Sequence, residues 1–109
     1  MIIEIKNPKV LYFMISRFKK LVIYFYADWK KECIDFSKVY LSTSRKNDYS
    51  SIAFCQINVD LLPDIQELYD VNIYKSPCLI TIKNGEITGK LYGNKPELFK
   101  DHMYDFSRS

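Results

Sequence analysis

Apolar residues follow two periods along this chain, and the switches between them outline its elements. Ile2, Ile3 and Ile5 mark a short first strand. Asn7-Pro8 opens a helix, because the missing N–H of proline costs nothing in a first turn. Val10, Leu11, Met14, Ile15 and Phe18 then recur at three and four residues, the spacing of one helical face. Lys19-Lys20 is expected at the C-terminal end of that helix, where positive charge is favourable. Leu21, Val22, Ile23, Tyr24, Phe25 and Tyr26 are apolar or aromatic at both parities. That pattern predicts a central strand covered on both faces. A long helix over 31–45 follows. Cys33, Phe36, Ser37, Tyr40 and Leu41 share one side of it, and Ile34 widens the stripe.

A polar loop over 45–51 leads to a strand over 52–59. Asp60 closes that strand, and Pro63 starts a helix with Ile65, Leu68 and Tyr69 facing inward. Residues 71–76 form a linker into Pro77. A strand over 78–83 is followed by Asn84-Gly85, the strongest hairpin signal in the chain. The return strand over 87–92 stops at Gly93. Pro96 then sits in the first turn of a last helix, with Leu98, Phe99, His102 and Met103 as its packing side. The order β-α-β-α-β-α-β-β-α predicts an α/β fold with a central mixed sheet and helices on both faces. No internal repeat or linker divides the chain, so residues 1–109 are expected to form a single domain.

Composition narrows the function classes. A hydrophobic share of 48% with 27% charged residues is ordinary for a soluble globular chain. The net charge is +3, and basic residues form no run longer than a pair. Phosphate binding needs a basic patch, so no nucleic-acid partner is expected. The longest apolar run, 21–27, is too short to span a bilayer, so no membrane partner is expected. The opening Met1-Ile2-Ile3-Glu4 carries charge too early for a signal peptide, which makes the expected compartment cytoplasmic and the three cysteines reduced. One histidine and three dispersed cysteines do not make a zinc site, and no metal or other cofactor is expected.

The chemistry is concentrated in Tyr26-Ala27-Asp28-Trp29-Lys30-Lys31-Glu32-Cys33, which runs from a strand into the start of a helix. Segments of this shape often carry two cysteines flanking a two-residue turn. Here Lys30 stands three residues before Cys33, and no Cys-X-X-Cys occurs. A lysine cannot form a mixed disulfide, so the usual thiol–disulfide cycle lacks its attacking group.

The element order, Trp29 before the first long helix and a lone Pro77 before the hairpin together resemble thioredoxin over nearly the whole chain. Phe25, Ala27-Asp28-Trp29, Cys33 as the second cysteine, Asn58-Val59-Asp60, Lys83-Asn84-Gly85-Glu86 and Gly93 carry the likeness. The resemblance implies a thioredoxin-like fold with a cis bond before Pro77. It also implies a peptide-docking groove at Trp29, Lys30, Ser76, Pro77 and Gly93, with the Ser76 backbone pairing strand-like with an extended peptide. Against the family pattern, Lys30 takes the place of the first cysteine, Lys31-Glu32 that of the Gly-Pro pair, and Tyr24 that of a buried aspartate. The thioredoxin-like domain at the front of multidomain monothiol glutaredoxins is similar in keeping the tryptophan and only the second cysteine. Tyr92-Gly93-Asn94-Lys95-Pro96-Glu97-Leu98 resembles its tail motif. In those proteins iron–sulfur binding belongs to a separate glutaredoxin domain, and that role is not carried over to these residues.

Two readings of Cys33 follow. Exposed at a helix start beside Lys30 it is a reactive thiol; turned inward it is a packed helical residue. Cys78 follows Pro77 and is the candidate second thiol, either as a redox or cluster-ligand pair with Cys33 or as a small packed hydrophobe. Cys55 reads as core, and His102 as a neutral residue of the last helix without chemistry. The expected function is a thioredoxin-like domain lacking the dithiol, binding a protein or peptide partner in thiol redox homeostasis. The alternative is a monothiol oxidoreductase using Cys33, with Cys78 or glutathione supplying the other sulfur.

Overall fold

A computed structural model describes residues 1–71, 74 and 76–109. The described residues form a five-stranded sheet flanked by four α-helices. The elements are β1 (Ile2–Glu4), α1 (Pro8–Arg17), β2 (Lys20–Tyr26), α2 (Lys31–Ser44), β3 (Ala53–Asn58), α3 (Pro63–Leu68), β4 (Cys78–Lys83), β5 (Glu86–Tyr92) and α4 (Pro96–Ser107). A 3-10 turn, Asn47–Tyr49, lies in the polar loop after α2. The strand order is β1-β3-β2-β4-β5. β1, β3 and β2 are parallel; β4 and β5 join antiparallel. The fold is thus the α/β mixed sheet that the periodicity predicted.

β2 is central, and its alternation shows why. Leu21, Ile23 and Phe25 face a core layer with Leu11 and Met14 of α1 and Ile65 of α3. Val22 and Tyr24 face the opposite layer, with Phe36 and Tyr40 of α2 and Phe99, Met103 and Phe106 of α4. A strand with both parities apolar satisfies two layers at once. The second layer is aromatic: Tyr24 lies 4.9 Å from Tyr40, and Phe36 5.0 Å from Phe99, ring centre to ring centre.

Local signals behave as their chemistry dictates. The Asn7 side-chain oxygen accepts the Lys9 amide at 2.8 Å, capping α1, and Pro8 takes the first turn. Asn84 and Gly85 both have positive φ, as a two-residue hairpin needs. Several edges differ from the sequence reading. Lys20 is the first residue of β2 and Arg17 closes α1, because pairing of Lys20 with Lys83 captures it for the sheet. Ile34, Leu41, Leu68 and Leu98 are exposed, whereas Thr43, Ser44 and Phe106 are buried in their place. A helix stripe wider than the facing surface leaves its flanks in solvent. Of the expected linker 71–76, residues 72, 73 and 75 lie outside the described residues.

Candidate functional site

The site forms where β2 ends and α2 begins, facing the segment that leads into β4. β2 delivers Tyr26 and Ala27, and the chain then turns through Asp28 and Trp29. Lys30 is the residue on which α2 starts; its backbone is extended and its side chain makes no cap. Its carbonyl accepts the amides of Cys33 and Ile34 at 3.1 and 3.0 Å, and so begins the helix. Its ammonium reaches across to the facing segment instead. Lys30 Nζ donates to the carbonyl of Ser76 at 2.9 Å and to that of Tyr74 at 3.1 Å.

The Ser76–Pro77 bond is cis. Pro77 O accepts the Gly93 amide at 2.7 Å, so Pro77 and Gly93 lie against each other as the resemblance implied. Gly93 has φ +88°, a conformation that side-chain-bearing residues rarely adopt. Trp29 is 64% exposed, and its indole N–H donates to an Asp60 carboxylate oxygen at 2.8 Å. Asp60 in turn is placed by Asn58: the Asp60 amide donates to the Asn58 side-chain oxygen at 3.0 Å, and Asn58 Nδ2 donates to Asp28 at 3.0 Å. The exposed ring is therefore held at its polar edge while its faces stay open.

Cys33 is 1% exposed. Its thiol donates to the Ser76 hydroxyl at 3.6 Å, an ordinary reach for sulfur. Beneath it, the Tyr24 phenol donates to the Cys33 carbonyl at 2.8 Å and lies 3.1 Å from Ser37 Oγ. Desolvation of that phenol raises its pKa well above the usual tyrosine value, with the Ser37 hydrogen bond opposing. Tyr24 therefore serves as a neutral donor, and it provides no carboxylate to move a proton at Cys33. A hollow of about 200 Å³ is lined by Tyr26, Ala27, Asp28, Cys33, Ile34 and Ser37.

Trp29, Lys30, Cys33, Ser76, Pro77 and Gly93 are thus gathered at one end of the sheet. Cys78 forms no disulfide with Cys33; it packs with Phe25, Ile80 and Ile82 in the layer under α1 and α3, whereas α2 covers the other face of the sheet. Burial pushes its thiol up to about 12, with Lys90 opposing. Cys33, Cys55 and Cys78 are all free and buried. Among the described residues no three acidic, histidine or cysteine groups cluster as metal ligands do. No helix is long and apolar enough to cross a membrane among them. Sequence reasoning missed two partners: Asp60, read only as a strand end, and the Tyr24 phenol, read only as a lost acid. The Trp29–Asp60 bond spans 31 positions and the Tyr24–Cys33 bond 9, from a strand to the helix after it, and no periodicity of apolar residues encodes either.

This sheet order, with a cis-proline opposite the start of a helix that carries one cysteine, defines a thioredoxin-like protein. The Thioredoxin family pattern matches residues 9–105, and the chain belongs to that family. Among curated proteins it is 30% identical over 81 residues to monothiol glutaredoxin-4 of Saccharomyces cerevisiae, covering 74% of this chain and 32% of that protein. It is 30% identical over 90 residues to thioredoxin H5 of Oryza sativa subsp. japonica, covering 83% of this chain and 64% of that one. The chain therefore spans about a third of the length of the first relative and just under two thirds of the second. Among solved structures, mitochondrial thioredoxin 3 of S. cerevisiae in its oxidised form superposes with a TM-score of 0.86 at 27% identity, covering 95% of this chain and 94% of that one. The thioredoxin of Malassezia sympodialis superposes at 0.89 with 21% identity, over 97% and 93% of the two chains, which speaks for the fold alone.

Proposed function

We propose that this redox-related thioredoxin-family chain is a cytoplasmic peptide- or protein-binding domain in thiol homeostasis, not a dithiol reductase. One observation carries the reading. At the helix start, where an attacking sulfur would have to stand, Lys30 places an ammonium bound to the carbonyls of Tyr74 and Ser76. An ammonium donates hydrogen bonds and cannot open a disulfide. Cys33, the thiol left behind, is enclosed, and Cys78 is packed in the core layer under α1 and α3. Trp29, next to Lys30, and Tyr74, whose carbonyl Lys30 holds, are exposed aromatics, and Ile34 and Leu61 are exposed as well. Exposed aromatics beside a backbone edge suit recognition of an extended peptide.

Insulin reduction tests the proposal. The full chain with dithiothreitol is expected to precipitate insulin no faster than dithiothreitol alone, and turnover matching an ordinary thioredoxin would overturn it.

The second reading keeps Cys33 as a monothiol nucleophile working with glutathione. The hollow lined by Cys33, Asp28 and Ser37 supports it. Incubation with oxidised glutathione and intact-mass analysis separates the two. A mixed disulfide at Cys33 formed within minutes favours the monothiol reading; an unmodified native chain favours the binding domain.

A further inference from the structure

A cleft of about 170 Å³ opens beside the Pro77–Gly93 contact and runs inward between β5 and α4. Its walls are Phe36, Leu79, Leu91 and Phe99, and Lys95 and Leu98 stand at its rim. Two features point to its occupant. The size is that of a single large apolar side chain: a comparable apolar cavity of roughly 150 Å³ takes up benzene. The charge around it has one sign. Lys95 stands at the cleft and no acidic residue lines it. Lys90 borders it too, but its ammonium is held by the Tyr69 carbonyl at 2.7 Å, on the Ile80 face of the sheet rather than the Leu79–Leu91 face. Lys95 takes part in neither of the salt bridges found among the described residues.

We propose that this cleft is the specificity pocket of the docking groove. It takes a phenylalanine- or leucine-sized side chain of an extended peptide, and a carboxylate on the neighbouring peptide residue meets Lys95. The proposal rests on the binding-domain reading and names the peptide class it selects: apolar next to acidic. Gly93 keeps the mouth open, since a side chain there would stand over it, with Lys95 Cε 3.6 Å from the first added carbon. The Gly93 N–H to Pro77 O hydrogen bond at 2.7 Å fixes the two lips of the mouth relative to each other. A pocket formed in advance loses less ordering entropy on binding.

The test uses the full chain, labelled with ¹⁵N, and three blocked hexapeptides that differ only at two central residues: Phe-Glu, Ala-Glu and Phe-Lys. The Phe-Glu peptide is expected to shift the amides of Leu91, Gly93, Leu98 and Phe99 together with the Trp29 indole. The Ala-Glu peptide should bind about tenfold more weakly, the cost of an unfilled apolar pocket. The Phe-Lys peptide should bind about threefold more weakly, as a rim charge does. Lys95→Glu, at an exposed position, should reverse the order of Phe-Glu and Phe-Lys. Equal affinity for Phe-Glu and Ala-Glu, or unmoved cleft amides while Trp29 and Ser76 respond, overturns the pocket and leaves the groove. Cleft shifts without any response at Trp29 or Ser76 overturn the groove reading instead. No binding of any peptide at millimolar concentration overturns both.

Discussion

The ammonium of Lys30 lies 2.9 Å from the carbonyl oxygen of Ser76. One side chain thereby ties the residue that begins α2 as its N-cap to the segment before the cis-proline, across 46 positions of sequence. The same contact occupies the backbone edge proposed above for peptide docking, so under that proposal a peptide N–H at Ser76 O would share the carbonyl with the lysine.

Removing that tie is expected to loosen the segment without unfolding the chain. Lys30→Met keeps the stem and deletes the donors. A charged donor on a carbonyl is worth more than a neutral one, but this group is partly solvated, so the expected loss is about 1 kcal/mol in urea denaturation. Amide exchange at Tyr74 and Ser76 should rise in the same variant. Unchanged exchange there would show that Lys30 does not hold the segment.

Tyr24→Phe is expected to cost about 1–3 kcal/mol, because the Cys33 carbonyl loses its phenol donor inside the core. The ring contacts with Phe36 and Tyr40 survive the change, so the loss isolates the hydroxyl. Maleimide labelling of Cys33 should quicken as the first turn of α2 loosens. A variant as stable as the parent would mean that water or Ser37 replaces the phenol at no cost.

Native thiol titration at pH 8 is expected to find no rapidly reacting cysteine, since all three are enclosed; denaturant should release all of them. The same burial sets an alkaline limit. Desolvation raises Cys78 from 9.0 to about 12, with Lys90 opposing, and raises Cys55 further, with Glu4 adding to it. Above pH 9 the unfolded chain loses thiol protons that the folded chain retains. Folding stability from these groups is therefore full below pH 9 and lost as pH rises toward about 12. Urea midpoints from pH 7.5 to 10.5 should fall at the alkaline end, and Cys78→Ala should reduce the slope. A midpoint that climbs with pH contradicts the assignment.

Gly89 sits where α4 presses its histidine onto β5. A β-carbon at Gly89 would lie 2.5 Å from His102 Cε1, while the His102 Nε2 atom is 3.0 Å from Thr81 Oγ1. Gly89→Ala must push the ring off Thr81, at an expected cost of about 1–3 kcal/mol. His102→Ala in the same chain should recover most of that cost, and additive losses in this double-mutant cycle would refute the contact. Burial lowers the His102 pKa, with Asp105 opposing, so the ring is neutral as its sequence position suggested.

The elements were legible because their signals are local. Asn7 and Pro8 start α1 through one side-chain bond and one missing donor, and Asn84-Gly85 turns because both residues take positive φ. The site was legible only as a set of residues. Trp29, Lys30, Cys33, Ser76, Pro77 and Gly93 do converge, and the stripe shared with Phe36 and Tyr40 put Cys33 on the covered side of α2, yet nothing in their spacing said that Lys30 would turn to Ser76. Ile34 and Leu41 fit the apolar stripe of α2 and lie exposed, because period alone does not say how wide a surface the sheet offers.

By itself the chain order determined the mixed sheet, the hairpin turn at Asn84-Gly85 and the lack of a second sulfur next to Cys33. Those depend on backbone preference, side-chain period and covalent identity, each carried within a few residues. Folding alone decided that a lysine ammonium would cap the Ser76 carbonyl, that Cys78 would pack in the layer under α1 and α3, and that an apolar cleft would open beside Gly93. Such facts depend on which side of the sheet each strand residue presents and on what a distant segment places opposite it, and both are fixed only when the whole core closes.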